Sequence, residues 1–378
     1  MRLRRPLLLA AVLVTACAAR VRPGTPRAVS VGHPDWSPVS RFLDSVIASG
    51  AAPGAVLGVS VKGQRFYHSA GRLGLDDART PDRRTVYDLA SLTKILSLTT
   101  LAMFAVEEGK LDLDAPVGRY VPAFTGGARA RITVRMLLAH AGGLPAWLPL
   151  YRNAESRAGL MAAVDTTALV SEPGAKEAYS DLGIIVLTQA IEGIYGERLD
   201  TLAQSKVFDR VGMPSTRYLP PVSWRDRIAP TEQDPWRGRM LRGEVHDENA
   251  ARMDGVSGHA GLFSDAEDML AFGEWTLTRA DAPATAEFIR PAGIVAGSSR
   301  ALGWDTPSAG SSAGTRLSAS SIGHTGFTGT SLWIDPERRL VIVLLSNRVH
   351  PTRENTRWPP VRARVADLVM TTLFEDAR

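Results

Sequence analysis

The sequence predicts an α+β fold: one antiparallel sheet built from the N- and C-terminal segments, flanked by helices, with a largely helical lobe inserted between them. Three observations predict it. The β-rich runs GAVLGVSVKG and RFYHSAGR lie near the start, within 54–72. Two more, TSLWID and RLVIVLLSN, lie near the end, within 330–347. Between them, apolar residues recur mostly at helical spacing. Strands at both ends with helices in the middle assemble most simply as one sheet carrying an inserted lobe. A cleft between lobes is a common place for a site.

The elements follow in order. MRLRR is a charged n-region and PLLLAAVLVTA an apolar run too short to span a bilayer, so residues 1–16 read as a signal peptide. Residues 17–36, rich in Pro, Arg and small side chains, read as a tether, and 37–378 as the folded domain. WSPVSRFLDSVIASG (36–50) has helical spacing and stops at Gly50. The two early β-runs meet at a tight Lys62-Gly63-Gln64 turn, which predicts a hairpin. From 91 to about 109 the chain is mostly apolar on every face, as in a buried helix.

ITVRMLLAHAGGLP (132–145) predicts a short helix followed by a loop, and DLGIIVLTQAIEGIYG (181–196) another apolar helix. Residues 219–260 read as loop. FSDAEDMLAFGEWTL (263–277) predicts a helix starting at Ser264, with Glu267 in capping-box position. SAGSSAGTRLSASS (308–321) is low-complexity and reads as a loop or a flexible hairpin. VRARVADLVMTTLF (361–374) predicts a terminal helix.

Charge excludes one class of function. The formal net charge is +5, and three of the positive charges, Arg2, Arg4 and Arg5, sit in the leader. No basic stripe with interleaved aromatics occurs, so nucleic acid is not an expected partner. The only cysteine is Cys17, so no internal disulfide is expected.

Only five of the 44 Lys and Arg residues are lysines, and one of them, Lys94, sits in the apolar run DLASLTKILSL (88–98). Residues i and i+3 share a helix face, so Ser91 and Lys94 can meet. Ser91 falls at the helix start, where free N–H groups favour developing negative charge. A hydroxyl needs a base before it attacks, and an apolar wall is expected to lower the lysine pKa toward that task. Alone, the pair equally fits an N-cap serine followed by a snorkelling lysine.

Two further stretches complete a pattern: EAYSDLG (177–183) and SIGHTGFTGTS (322–331). With Ser-x-x-Lys before them, the chain resembles the serine β-lactamase and penicillin-binding-protein superfamily. It is most similar to the class C-like branch of D-alanyl-D-alanine carboxypeptidases and esterases. ITVRMLLAHAGGLP and PERRLVIVLLSN share the resemblance, which covers residues 36–378. It implies the β-lactamase/transpeptidase-like fold, an acylated nucleophile at Ser91, its partner base at Lys94, and a second proton carrier at Tyr179. It also implies that His324, Thr325 and Gly326 lie on an edge strand facing the nucleophile, and that the N–H groups of Ser91 and Phe327 form an oxyanion hole. Lys94 and His324 as cationic neighbours would make the Tyr179 phenolate accessible.

Two positions depart from the pattern. Asp181 stands where the family more often has Asn, and is expected to pair with Lys94, keep it charged and favour Tyr179 as base. His324 stands in place of lysine, so recognition of a substrate carboxylate becomes pH-dependent. Both departures weaken the case for efficient β-lactam hydrolysis.

GEVHDENAARMDGVSGHAGLFS (243–264) invites a metal reading through His246, Asp247, Glu248, Asn249 and His259, but its spacing fits no zinc pattern. It is expected to be a polar-paired loop at the cleft rim, similar to that of penicillin-binding protein 4B relatives. Trp147, Trp224 and Trp236 either line a cleft or pack under long loops. The expected function is a serine acyl-hydrolase without metal or cofactor, acting on D-alanyl peptides such as peptidoglycan stem peptide, or on small esters. The alternatives are a true class C-like β-lactamase and a catalytically silent peptidoglycan-binding lipoprotein. Val14-Thr15-Ala16-Cys17 resembles a bacterial lipobox. That implies a lipid on Cys17, a membrane anchor and a place in the bacterial cell envelope facing the periplasm.

Overall fold

The computed structural model describes residues 34–374. The expectations for the signal peptide, for Cys17 and for nearly all of the tether therefore lie outside the described residues. A compact unit begins at Asp35.

Five strands make the main sheet: Gly54–Val61 (β1), Gln64–Gly71 (β2), Ile322–Thr325 (β3), Ser331–Asp335 (β4) and Leu340–Ser346 (β5). Their order is β2-β1-β5-β4-β3, antiparallel throughout. The two ends of the chain meet where β1 pairs with β5, from Ala55 opposite Ser346 to Val61 opposite Leu340. The β1–β2 hairpin closes through Lys62 and Gly63, both at positive φ, a turn whose twist matches that of the strands.

Both faces of the sheet are covered. Helices Ser37–Ala48 (α1) and Pro359–Phe374 (α5) bury Val39, Leu43, Val365 and Val369 against Leu57, Val59 and Leu344. On the opposite face lies helix Ala266–Arg279 (α4), where a Cβ on Gly273 would come within 2.4 Å of a Val341 methyl. Only glycine lets this helix approach β5 so closely. The cap of α4 falls one residue later than the sequence predicts, because Ser264 ends a strand and bonds Thr216 Oγ1. Asp265 is the N-cap, accepting from the Asp268 amide.

The middle of the chain supplies the helical part. A helical run starts just after Ser91, passes through a π-helical segment, Lys94–Thr99, and continues as Thr100–Glu107 (α2). Helix Asp181–Tyr195 (α3) packs beside it and ends at Gly196 in the left-handed region. A small sheet of Tyr87–Asp88, Leu262–Ser264 and Arg217–Tyr218 anchors the segment leading into Ser91. Among the described residues no helix is long and apolar enough to cross a membrane.

Candidate active site

The backbone is strained immediately before Ser91. Ala90 sits at φ 46°, a conformation that side chains other than glycine rarely adopt. The buried Asp88 holds it there: Oδ1 accepts the Ala90 amide at 2.8 Å, and Oδ2 accepts the His246 amide at 2.6 Å. The helix then opens with i→i+3 bonds from Leu92, Thr93 and Lys94 before the π-helical segment. Such segments cluster at functional sites.

Lys94 is fully buried. Its Nζ lies 2.9 Å from Ser91 Oγ, 2.7 Å from Asp181 Oδ1 and 3.0 Å from the His259 carbonyl. It also sits 4.9 Å from the centre of the Tyr179 ring. Burial alone would lower the amine, but Asp181 and then Tyr179 outweigh it, and the pKa ends above the ordinary lysine value. The expected apolar lowering is thus overturned, because a carboxylate stands within the same buried space. Asp181 pairs with Lys94 as its position in the sequence leads one to expect.

Tyr179 departs from expectation in the same way. Burial raises its phenol first, Lys94 pulls it down, Asp181 raises it again, and the balance lies above the ordinary value. The phenol is therefore protonated at neutral pH. Its ring rests on His140 at 4.5 Å and faces His324 at 5.8 Å. His324 is no cationic partner for it. Burial, with Lys94 and Arg300, pushes the imidazole below its usual value against the pull of Asp305. His324 Nδ1 donates to the Thr325 carbonyl at 2.8 Å, which leaves Nε2 buried without a hydrogen-bond partner.

His324 lies on β3, the edge strand, whose outer side is bridged, among the described residues, only by Asp305 opposite Gly323. Thr325 follows it and lines a cavity of about 830 Å³ with Arg300, Arg362 and Glu177. Gly326 begins the turn to β4 and packs on the chain before Ser91. A Cβ there would lie 2.4 Å from the Leu89 carbonyl oxygen and 2.1 Å from Thr330 Oγ1. Thr328 and Thr330 hydroxyls bond the Asp88 and Leu89 carbonyls at 2.7 and 3.0 Å, locking this turn to the Ser91 segment. Neither the Ser91 amide nor the Phe327 amide donates to another protein group among the described residues. The structure thus gathers Ser91, Lys94, Tyr179, Asp181, His324, Thr325, Gly326 and Phe327 in one place.

Several supporting residues escape sequence reasoning. His140 adopts φ 54° and accepts the Ser180 amide on Nδ1 at 3.0 Å, while its carbonyl receives the Ala178 amide. It clamps both sides of Tyr179. Burial, and then the charges of Arg300 and Lys94, hold its pKa well below the usual value. Arg300 pairs with Glu177 and Asp305 and lies 5.8 Å from the Tyr179 ring centre.

The 243–264 stretch is not a rim loop. Most of its polar residues are buried, and Glu248–Arg252 is a short helix capped by Asp247. His259 bonds Asp247 and Ser257, His246 bonds Glu232, and Asn249 bonds the Tyr151 amide. These pairs hold the His259 carbonyl against Lys94. Among the described residues no group of three or more His, Cys, Asp or Glu side chains is arranged to hold a metal. Of the three tryptophans, Trp147 and Trp236 are partly exposed around Tyr151, and Trp224 packs on Val86, Ile228 and Phe263.

This fold, with a serine hydroxyl on a buried amine beside a phenol, defines a serine hydrolase of the β-lactamase class. The chain belongs to the β-lactamase family: residues 39–367 match the family model described as Beta-lactamase. A Salmonella enteritidis protein named "Putative D-alanyl-D-alanine carboxypeptidase" is 32% identical over 317 residues, covering 73% of this chain and 72% of its own. Two solved structures share the fold. One is "EstCE1, a hydrolase with promiscuous acyltransferase activity", at 23% identity and TM-score 0.71, covering 88% of this chain and 97% of that one. The other is a class C β-lactamase from Rhodobacter sphaeroides, at 22% identity and TM-score 0.69, covering 88% and 98%.

Proposed function

We propose that the protein hydrolyses D-alanyl peptides through an acyl-enzyme on Ser91. The observation that carries this reading is the 2.9 Å contact between Ser91 Oγ and the buried Lys94 amine, beside Tyr179. Lys94 is the partner of Ser91, Tyr179 the proton carrier and Asp181 the group that keeps Lys94 charged. As Ser91 Oγ bonds to the carbonyl carbon, its proton passes to the Tyr179 oxygen, and the phenol proton passes to the leaving nitrogen. The phenol begins and ends neutral, which suits a tyrosine whose pKa is raised. The Lys94 ammonium stabilises the negative charge in transit, and dry surroundings strengthen that effect. The amides of Ser91 and Phe327 receive the tetrahedral oxyanion. Breaking the C–N bond leaves an ester on Ser91, and water removes it by the same proton path.

The substrate class rests on the Salmonella relative's name. A second reading, small-ester hydrolysis, is favoured by the uncharged His324, which places no fixed cation at that position of the motif. A panel separates the readings: D-alanine release from a D-alanyl-D-alanine peptide, p-nitrophenyl butyrate hydrolysis and nitrocefin turnover. We expect D-alanine release and slow nitrocefin turnover. Ester hydrolysis without D-alanine release favours the second reading, and fast nitrocefin turnover with no D-alanine release overturns both in favour of a β-lactamase.

The lipobox-like Val14-Thr15-Ala16-Cys17, preceded by a charged and then an apolar segment, supports processing to a lipid-anchored protein. On this reading the enzyme works at the cell envelope, facing the periplasm, near its proposed substrate.

A further inference from the structure

The turn from Gly326 to Thr330 is held by its carbonyls. The Phe327 carbonyl accepts Arg348 Nε at 2.7 Å, the Gly329 carbonyl accepts the Trp358 indole at 2.7 Å, and the Thr330 carbonyl accepts the Gly326 amide at 2.8 Å. The Gly326 carbonyl takes Arg362 Nη2 at 2.6 Å and the Gly329 amide at 3.1 Å.

Arg362 is an unusual donor. It projects from α5, is 8% exposed, and pairs with no carboxylate among the described residues. Its Nε has no hydrogen-bond partner. Burial, and then the nearby Arg348, push it down to about 9, so it keeps its charge at neutral pH. A buried cation without a counter-ion is costly unless hydrogen bonds compensate, and the acceptor that Nη2 has is the Gly326 carbonyl.

The Gly326 carbonyl and the Phe327 amide belong to one planar trans peptide, so they point in opposite directions. A charged donor on that oxygen polarises the unit and makes the N–H on the far side a stronger donor. We propose that Arg362 is a positioning residue for the oxyanion site: it fixes the Gly326–Phe327 peptide and strengthens the Phe327 amide against the developing negative charge. The proposal rests on the reading that Ser91 is acylated and that the Phe327 amide receives the oxyanion. Arg362 acts through the peptide and touches no reacting atom. A competing role exists because Arg362 also lines the cavity beside Thr325, where it could meet a substrate carboxylate.

A neutral ester separates these roles, since it has no carboxylate to bind. The full chain and its Arg362→Gln and Arg362→Lys variants are titrated with a fluorophosphonate to count active sites. The p-nitrophenolate burst from p-nitrophenyl butyrate then gives the acylation rate per titrated site. Removing a whole oxyanion donor costs about 100-fold or more, so weakening one predicts a loss of roughly 10-fold in Arg362→Gln with KM little changed. Arg362→Lys, which keeps a cation, recovers most of it. A purely structural role would lower the number of titratable sites and leave the rate per site unchanged. If Arg362→Gln does not fold, Arg362→Met carries the same test without a polar head.

The proposal is overturned if the variant acylates at the wild-type rate per site, or if it slows only with a carboxylate-bearing ester. A wild type that gives neither burst nor fluorophosphonate adduct overturns the acyl-enzyme reading itself, and this one with it. A wild type that acylates beside an unaffected variant overturns the role of Arg362 alone.

Discussion

At the scale of single residues, the proposed chemistry turns on which neighbour of Ser91 holds a proton. Lys94 keeps its own because Asp181 lies 2.7 Å away in a buried space. An asparagine at that position would remove the charge that opposes desolvation, and the lysine pKa would fall. If catalysis needs the ammonium, the basic limb of the pH profile for acylation moves to lower pH in Asp181→Asn. An unmoved limb would mean that the Lys94–Asp181 pair does not govern the reaction. Ser91, Lys94, Tyr179 and Asp181 were legible because short motifs carry them. The charge of Lys94 was legible only through Asp181, since its apolar sequence neighbourhood alone points to a lowered pKa; the neutral states of Tyr179 and His324 were not legible, because burial and charges brought in by folding set them. His140 and Arg300 gave no local signal at all. Their roles come from a left-handed backbone and from ring contacts that only the folded chain creates.

At the scale of elements, the turn after β3 and the start of α4 each make a prediction. Gly326 packs on the Leu89 carbonyl so closely that any Cβ must displace backbone. Gly326→Ala should cost ~1–3 kcal/mol, as overpacking does, and lower the acylation rate as well; calorimetry beside a burst assay reads both. A full-stability, full-rate variant would show that the turn is not pinned there. In the first turn of α4, burial and then Asp265 push Asp268 up to about 7, while the Ser215 amide and the Thr216 hydroxyl bond it.

The sign follows from linkage. The folded chain holds this proton more tightly than the unfolded chain, whose carboxyl titrates near 3.8. The stabilising contribution is therefore complete below about pH 4 and is lost as pH rises through about 7. Asp268→Asn can accept the same two hydrogen bonds without ever ionising. Its Tm relative to wild type should rise between pH 4 and pH 8, and a constant difference would contradict the shift. The helix itself was legible from its apolar spacing. Its true cap was not, because Ser264 is recruited by the small sheet and the role passes to Asp265.

For the whole molecule, the sheet joins segments that the sequence shows only as separate β-rich runs. Their order and the pairing of Ala55 with Ser346 are set by packing of α1 and α5 on one face and α4 on the other. That placement brings the edge strand of a late segment against the serine of an early one, with the helical lobe supplying Tyr179 from the side. The proposed anchor belongs to this scale too. Fractionated bacterial cells should carry the full chain in membranes, and Cys17→Ser should release it or block its processing. A Cys17→Ser protein that stays with the membrane unchanged would argue against lipidation.

The proposed function depends most directly on Ser91 Oγ being the atom that takes the acyl group. Intact-mass spectrometry of the protein treated with a penicillin and with a fluorophosphonate measures this. One covalent adduct per chain, mapped to the Ser91 peptide in wild type and missing in Ser91→Ala, is the predicted result. An equal adduct in Ser91→Ala, or none in correctly folded wild type with either reagent, would contradict it.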